Sequence, residues 1–269
     1  MDNPIGICVD RNPFSSVEEL VAMIAESGFR RVEWFEQNAD DPWSSPSMAA
    51  RLQALVRRRQ VTPQYHAPYE APFDLAWDDR GLRTPQGVAA VVSAVLDKAE
   101  RLGARLMTLH LGTCKVSADR SEALRNVVEG IRLALPELER RRIRVALENH
   151  TQAIIESALG DRPEDIDWAM ESLPSPWVGR TLDVGHAHIN GHLEQFLARP
   201  FDRVFNMHLH DNLGSEDQHL PMGMGTIRWD MVLGRVAAER YRGPLTLEFF
   251  AAAEDYLRSM TLIRQYDKL

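Results

Sequence analysis

The residues best suited to chemistry in this sequence are its histidines and a few carboxylates, and they keep to one kind of place. The histidines are His66, His110, His150, His186, His188, His192, His208, His210 and His219. Each falls at the end of a short β-branched or apolar run, or in the segment just after one. None sits in the body of a long amphipathic stretch. Carboxylates share the habit: Glu148 ends IRVALENH, Asp183 ends GRTLDVGH, and Glu248 lies near the end of GPLTLEFF. Imidazole mixed with carboxylate is a ligand set for Zn²⁺ or Mn²⁺, whereas an all-oxygen set leans towards Mg²⁺ or Ca²⁺. A single strand-end Glu is commonly an ion pair, and a single His commonly packs in a core. Their joint placement points instead to a divalent metal site.

Alternation along each run says where these groups aim, because successive side chains of a strand face opposite ways. Ala146 and Glu148 share a face against Val145 and Leu147. Thr181 and Asp183 oppose Leu182, Thr246 and Glu248 oppose Leu245 and Leu247, and Asn206 and His208 oppose Met207 and Leu209. Thr108 and His110 likewise oppose Met107 and Leu109. The ionisable residue always has small or polar face-mates, so these groups converge while the bulky face packs under helices. Converging acids repel and are costly to bury without compensating cations.

The elements that must position them read as an alternation of strand and helix. Strands are expected at Pro4–Val9, Arg31–Phe35, Val61–His66, Arg105–Leu111, Ile143–Glu148, Val178–Asp183, Arg203–Leu209 and Pro244–Phe249. Helices are expected at Ser16–Ser27, Pro46–Gln60, Pro85–Leu102, Arg120–Arg142, Pro163–Leu173, His192–Ala198, Trp229–Arg240 and from Ala253 to about Tyr266. Pro46, Pro85 and Pro163 suit first helical turns, and Gly28, Gly103 and Gly243 suit helix exits. Eight units repeating at about 34 residues fit a (β/α)8 TIM barrel, one α/β domain over residues 1–269. A doubly wound open sheet is the alternative, but no GxGxxG follows the first strand and GxxxxGK[ST] is absent. In a barrel of this kind the C-terminal strand ends build the active site, where the histidines lie.

Bulk properties narrow the partners. The chain has 269 residues, 44% of them hydrophobic, and a formal net charge of −8. That acidity argues against a large nucleic-acid footprint, which needs clustered cations. The runs Arg57–Arg59 and Arg140–Arg142 close expected helices, where cations favour the helix C-terminus. Cys8 and Cys114 make no disulfide framework or CxxC site. No secretory leader or membrane-length apolar run is read, so a reducing cytoplasmic setting and a small-molecule substrate are expected. A homodimer is compatible with the sequence.

The segments HAPY (66–69), MTLHLGT (107–113), ALENH (146–150), LDVGHA (182–187), MHLHDN (207–212), DQHLPMGMGTI (217–227) and TLEFF (246–250), in this order over about two-thirds of the chain, resemble the xylose-isomerase-like barrel superfamily. That superfamily holds endonuclease IV, sugar isomerases and epimerases, and small-molecule phosphodiesterases. The resemblance to endonuclease IV implies two or three divalent ions. His66, His110 and Glu148 would hold one, Glu148 would bridge to a second completed by Asp183, His208 and Glu248, and His186, Asp217 and His219 would hold a third. Two departures stand out. No basic, aromatic-interleaved loop suited to gripping a duplex is present, and HLHDNLGSED lacks the Arg that related sugar 3-epimerases carry after the strand-seven His.

Two chemistries remain open. The expected one is metal-cluster hydrolysis of a small phosphoester or sugar phosphate, since a full ligand set exceeds what isomerisation needs. The alternative is sugar or sugar-phosphate isomerisation or epimerisation, with Glu148 and Glu248 as the acid–base pair. A non-catalytic metal-binding scaffold is the third. Tyr69, Trp77 and His210 are candidate substrate contacts. The aromatic stretch 67–77, with Tyr69, Phe73 and Trp77, either roofs the site or plugs one barrel end.

Overall fold

Parallel strands covered on both faces are built from residues that tolerate burial throughout, and the first strand, β1 (Ile5–Val9), is buried along its whole length. In the computed structural model, which describes residues 3–9, 17–36, 45–115, 119–153, 157–249 and 251–266, β1 is followed by α1 (Val17–Glu26), β2 (Arg31–Phe35), α2 (Pro46–Arg59) and β3 (Thr62–His66). A hairpin of β4 (Trp77–Asp78) and β5 (Gly81–Leu82) precedes α3 (Pro85–Leu102), β6 (Leu106–His110), α4 (Arg120–Arg141) and β7 (Arg144–Glu148). Then come α5 (Pro163–Ser172), β8 (Val178–Asp183), α6 (Val184–Ile189), α7 (Leu193–Leu197), β9 (Val204–Leu209), α8 (Trp229–Ala238), β10 (Leu245–Leu247) and α9 (Ala253–Gln265).

The sheet closes on itself in the order β1-β10-β9-β8-β7-β6-β3-β2, every pair parallel. The first strand pairs with the last through Ile5↔Leu245 and Ile7↔Leu247. This closure excludes the open doubly wound sheet and establishes the (β/α)8 barrel. Helices cover the outside. Val88, Val92, Val95, Leu96, Ala99 and Leu102 form the buried stripe of α3, at the i, i+3/i+4 spacing that turns one helical face to a core.

Local chemistry starts and stops the helices as the residues suggest. Thr84 caps α3 by accepting from the Gly87 amide, Pro85 opens the first turn, and Gly103 ends it at φ 76°. Arg57–Arg59 and Arg140–Arg141 do occupy last turns. The expected helix start at Ser16 lies outside the described residues. Two elements go beyond the pattern read from sequence: the six-residue α6 directly after β8, and the β4–β5 hairpin. Among the described residues, no helix is long and apolar enough to cross a membrane.

Candidate metal centre

Register brings the chemistry to one barrel end. His110 pairs with Glu148 across β6–β7, and Asp183 with His208 across β8–β9. His66 closes β3 and Glu248 follows β10, so the ends of six strands meet there. His66, His110, Glu148, Asp183, His186, His208 and Glu248 are all buried, Glu148, Asp183 and His208 completely. Among the described residues, groups able to hold an ion are His66/His110/Glu148, His66/His208/Glu248, Glu148/Asp183/His208/Glu248 and His186/His210/Asp217/His219.

Glu148 lies in the middle. Its Oε2 is 2.8 Å from His110 Nε2 and 3.1 Å from His66 Nε2, while its Oε1 is 2.7 Å from His208 Nδ1. His208 Nδ1 is also 2.9 Å from Glu248 Oε2 and 3.8 Å from Asp183 Oδ2. In the neighbouring group, Asp217 Oδ2 is 2.8 Å from His219 Nε2 and 3.5 Å from His186 Nε2.

The ring nitrogens facing away from these groups show how the imidazoles are aimed. His66 Nδ1 donates to the Ala67 carbonyl at 3.0 Å, His186 Nδ1 to the Asn149 carbonyl at 3.0 Å, and His219 Nδ1 to the Glu248 carbonyl at 2.6 Å. A carbonyl only accepts, so each Nδ1 carries a proton and each Nε2 is the nitrogen turned inward. Such outer hydrogen bonds fix the tautomer of metal-binding histidines. His208 does the reverse, with Nε2 donating to Glu33 Oε1 at 3.0 Å and Nδ1 turned to the cluster. Meanwhile His110 Nδ1, His186 Nε2, His210 Nδ1 and Asp217 Oδ1 are buried without a hydrogen-bond partner. The buried, unsatisfied ring nitrogens and carboxylate oxygen of His186, His210 and Asp217 offer lone pairs that a divalent cation would satisfy, so the residues present fit the metal the fold implies.

Electrostatics agree. Burial alone would push the Glu148 carboxyl up, yet His208, His110 and His66 override it and hold it well below the usual carboxylate range. For His208, burial opposes protonation, but Glu248, Glu148 and Glu33 raise it well above an ordinary imidazole. Burial works against His219 too, and the Asp217 carboxylate still raises it to about 9. Without cations, protonated imidazoles supply the positive charge that these carboxylates need.

Glu33 is the residue that sequence reasoning passed over. It is 1% exposed in the middle of β2 and accepts from His208 Nε2, from Gln64 Nε2 at 2.7 Å and from Asn206 Nδ2 at 2.9 Å. It thereby holds His208 from beneath. Its signal was available, since Glu33 alternates against Val32 and Trp34, but its face-mate Phe35 is bulky and broke the small-neighbour pattern. Replacing Glu33 with Gln removes that charge with little change of shape. Metal affinity is expected to fall about 10- to 100-fold, read by competition with a chromophoric chelator. An unchanged affinity would show that Glu33 does not orient His208.

The loop carrying Asp217 and His219 is tied down by Asp211, whose carboxylate accepts from the amides of Asn212, Gly223 and Ile227 and from Trp229 Nε1. This explains the spacing of Asp217, His219, Gly223 and Gly225 within DQHLPMGMGTI. Gly223 has φ +84°, and a Cβ on Gly225 would run into Asn212 O and Asp211 Oδ1. His219 itself sits at φ 45°, a backbone region that costs a non-glycine residue energy and is retained where surroundings over-determine it. On the other side, Asp183 caps α6 by accepting from the His186 amide at 2.6 Å, which sets the ring of His186 toward Asp217.

The groups enclose a cavity of about 40 Å³ lined by His66, His110, Glu148, His186, Asp217, His219 and Glu248, together with Phe35, Tyr69 and His150. Of the expected substrate contacts, Tyr69 lines it. Trp77 does not, because Asp74 accepts the Ala76 and Trp77 amides and turns the chain into the hairpin where Trp77 pairs with Leu82. Phe73 likewise turns away, under the Lys98 ammonium. Phe35 stands in the cavity wall instead, its ring 4.1 Å from that of His66. His210 is not among the lining residues either. It is fully buried, stacks on His219 at 3.9 Å, and its Nε2 is 3.1 Å from Asp183 Oδ1. The ring fits only because the facing residue is Gly185, where a Cβ would collide with it.

Residues 21–266 match the family described as xylose isomerase-like TIM barrel. The chain belongs to that family. It is 27% identical over 225 residues to a probable endonuclease 4 of Thermoplasma acidophilum, covering 77% of this chain and 75% of that one. Its fold matches a D-tagatose 3-epimerase-like protein with a TM-score of 0.82 at 24% identity, covering 98% and 97% of the two chains. An AP endonuclease of family 2 from Brucella melitensis matches with a TM-score of 0.75 at 18% identity, covering 97% and 99%. At such identities the structural likeness speaks for the fold. The relatives so named are enzymes of more than one reaction class within this xylose isomerase-like family.

Proposed function

We propose that this xylose isomerase-like chain is a divalent-metal phosphoester hydrolase acting on a small phosphorylated molecule such as a sugar phosphate. The carrying observation is Glu148, whose two oxygens reach into two different donor groups at 2.7–3.1 Å, beside a further group at His186, Asp217 and His219. On this reading His66, His110 and Glu148 hold one ion, Glu148, Asp183, His208 and Glu248 a second, and His186, Asp217 and His219 a third, with His210 close enough to join the last. Clustered zinc or manganese ions supply Lewis acidity and activation of water near neutral pH. The chain's own residues keep that chemistry dry and oriented. Glu33 and the Ala67, Asn149 and Glu248 carbonyls lock the imidazoles, while Phe35 and Tyr69 form the apolar wall. Among the described residues no Lys or Arg lines the cavity, which suits a substrate held mainly by the metal cluster.

The second reading is a sugar or sugar-phosphate isomerase or epimerase. It is favoured by Glu148/Asp183/His208/Glu248 being sufficient alone for one ion and containing two carboxylates able to exchange protons. Stoichiometry separates the two. Protein purified without chelator is expected to carry two or three zinc or manganese ions per chain by elemental analysis, and to turn over at least one compound in a panel of phosphomonoesters and phosphodiesters. One ion per chain, with turnover only of ketoses or their phosphates, would replace the first reading by the second.

A further inference from the structure

One histidine of the cavity wall is wired in the opposite sense to His66, His186 and His219. His150 follows β7, lines the cavity, and is 1% exposed. Its ring meets that of His110 edge-on with centroids 4.3 Å apart and lies 5.2 Å from His186 and 5.7 Å from Tyr69. The His66, His186 and His219 rings each donate from Nδ1 to a carbonyl. His150 Nδ1 instead faces the Thr151 amide at 2.8 Å. A backbone amide can only donate, so Nδ1 must accept and carries no proton. The neutral ring then bears its proton on Nε2, and that atom is buried without a hydrogen-bond partner. An Nε2–H is unable to ligate a metal, and His150 belongs to none of the metal-holding groups among the described residues.

Resting on the metal-hydrolase reading, we propose that His150 is a substrate-facing donor whose fixed Nε2–H binds an oxygen of the reacting group, a phosphoryl oxygen in that chemistry. The assignment supplies what the cavity otherwise lacks. Among the described residues no Lys or Arg lines the cavity, so a substrate oxygen pointing away from the cluster meets few of their donors. Tyr69 is one, and the buried N–H of His150 is another. A donor kept buried and pre-aimed carries no reorganisation cost when charge builds on its partner. Thr151 reinforces the arrangement, since its Oγ1 donates to Asn190 Oδ1 at 3.0 Å and accepts from the Ala153 amide at 3.1 Å. Asn190 Nδ2 in turn holds the His150 carbonyl at 2.8 Å.

The test uses zinc-loaded protein with His150→Phe, which keeps a ring but removes the donor, and His150→Gln, which keeps an N–H. Inorganic phosphate and D-fructose are the probes, titrated by calorimetry, with elemental analysis of every variant. Both variants are expected to keep the wild-type metal content. His150→Phe is expected to bind phosphate about 10- to 100-fold more weakly, the range of a hydrogen bond to a charged group, and His150→Gln to recover most of that loss. If wild-type protein binds fructose and not phosphate, the hydrolase reading falls, and the same loss and rescue on fructose still carries the role of His150. Long-range ¹H–¹⁵N spectra, with His150 assigned by its disappearance in His150→Gln, need no ligand and should show the neutral Nε2–H tautomer. An Nδ1–H tautomer, loss of an ion in His150→Phe, or unchanged affinity for whichever probe binds would each overturn the proposal.

Discussion

Glu148→Gln is expected to lose at least one metal ion per chain and to cut turnover by several orders of magnitude while the barrel stays folded. The carboxylate is completely buried and sits between His66, His110 and His208. Glutamine preserves its volume but replaces one acceptor oxygen with an NH₂ group, which repels a cation, and removes the charge that two donor groups share. On the proposed reading Glu148 would serve two ions, so its loss would harm both, and metal-assisted chemistry depends on such ligands. Elemental analysis, circular dichroism and kcat on the substrate found in the panel check it together. Near-normal metal and turnover in a folded Glu148→Gln protein would remove Glu148 from the centre of the site.

The second large effect separates chemistries. Combining Asp217→Asn with His219→Ala dismantles the group in which Asp217 Oδ2 lies 2.8 Å from His219 Nε2 and 3.5 Å from His186 Nε2. For a hydrolase using the full cluster, this double variant should lose most of its kcat, because the interaction it removes is made in the transition state. For an isomerase working from Glu148, Asp183, His208 and Glu248, the change should fall chiefly on KM, as loss of uniform binding does. Full kcat retained on a phosphoester would remove the Asp217/His219 group from the hydrolytic machinery and leave the reaction to the metal groups around Glu148, whereas turnover of ketoses alone would defeat the hydrolytic reading.

The barrel was legible in the sequence because its eight strands are short, buried and punctuated by Pro and Gly, and repeat that grammar around the barrel. The metal candidates were legible because strand parity sets ionisable residues beside small ones, as with Ala146 and Glu148. What escaped notice had physical reasons. Glu33 shares its face with Phe35, and its partners Gln64, Asn206 and His208 are remote in the chain. The α6 turn is too short for a helical period to show. The hairpin that carries Trp77 away from the cavity depends on Asp74, whose carboxylate also accepts the Thr113 amide, a contact between loops that no local pattern announces. His150 stood among the histidines from the start, but its tautomer depends on one amide hydrogen bond that only coordinates display.

The distances along the chain between partners have a consequence for how the protein is made. Glu33 and His208 are 175 residues apart, and Glu33 and Asn206 are 173 apart. Among the described residues, every group able to hold an ion includes a residue numbered 148 or higher, and two of them need Glu248, just past β10. A ribosome-bound chain that has emerged only through α4 can thus offer His66 and His110 but none of these sites in full. The two groups that contain Glu248 come together only once the eighth strand has been made and has met the first, whereas His66, His110 and Glu148 are all in the chain by the end of β7.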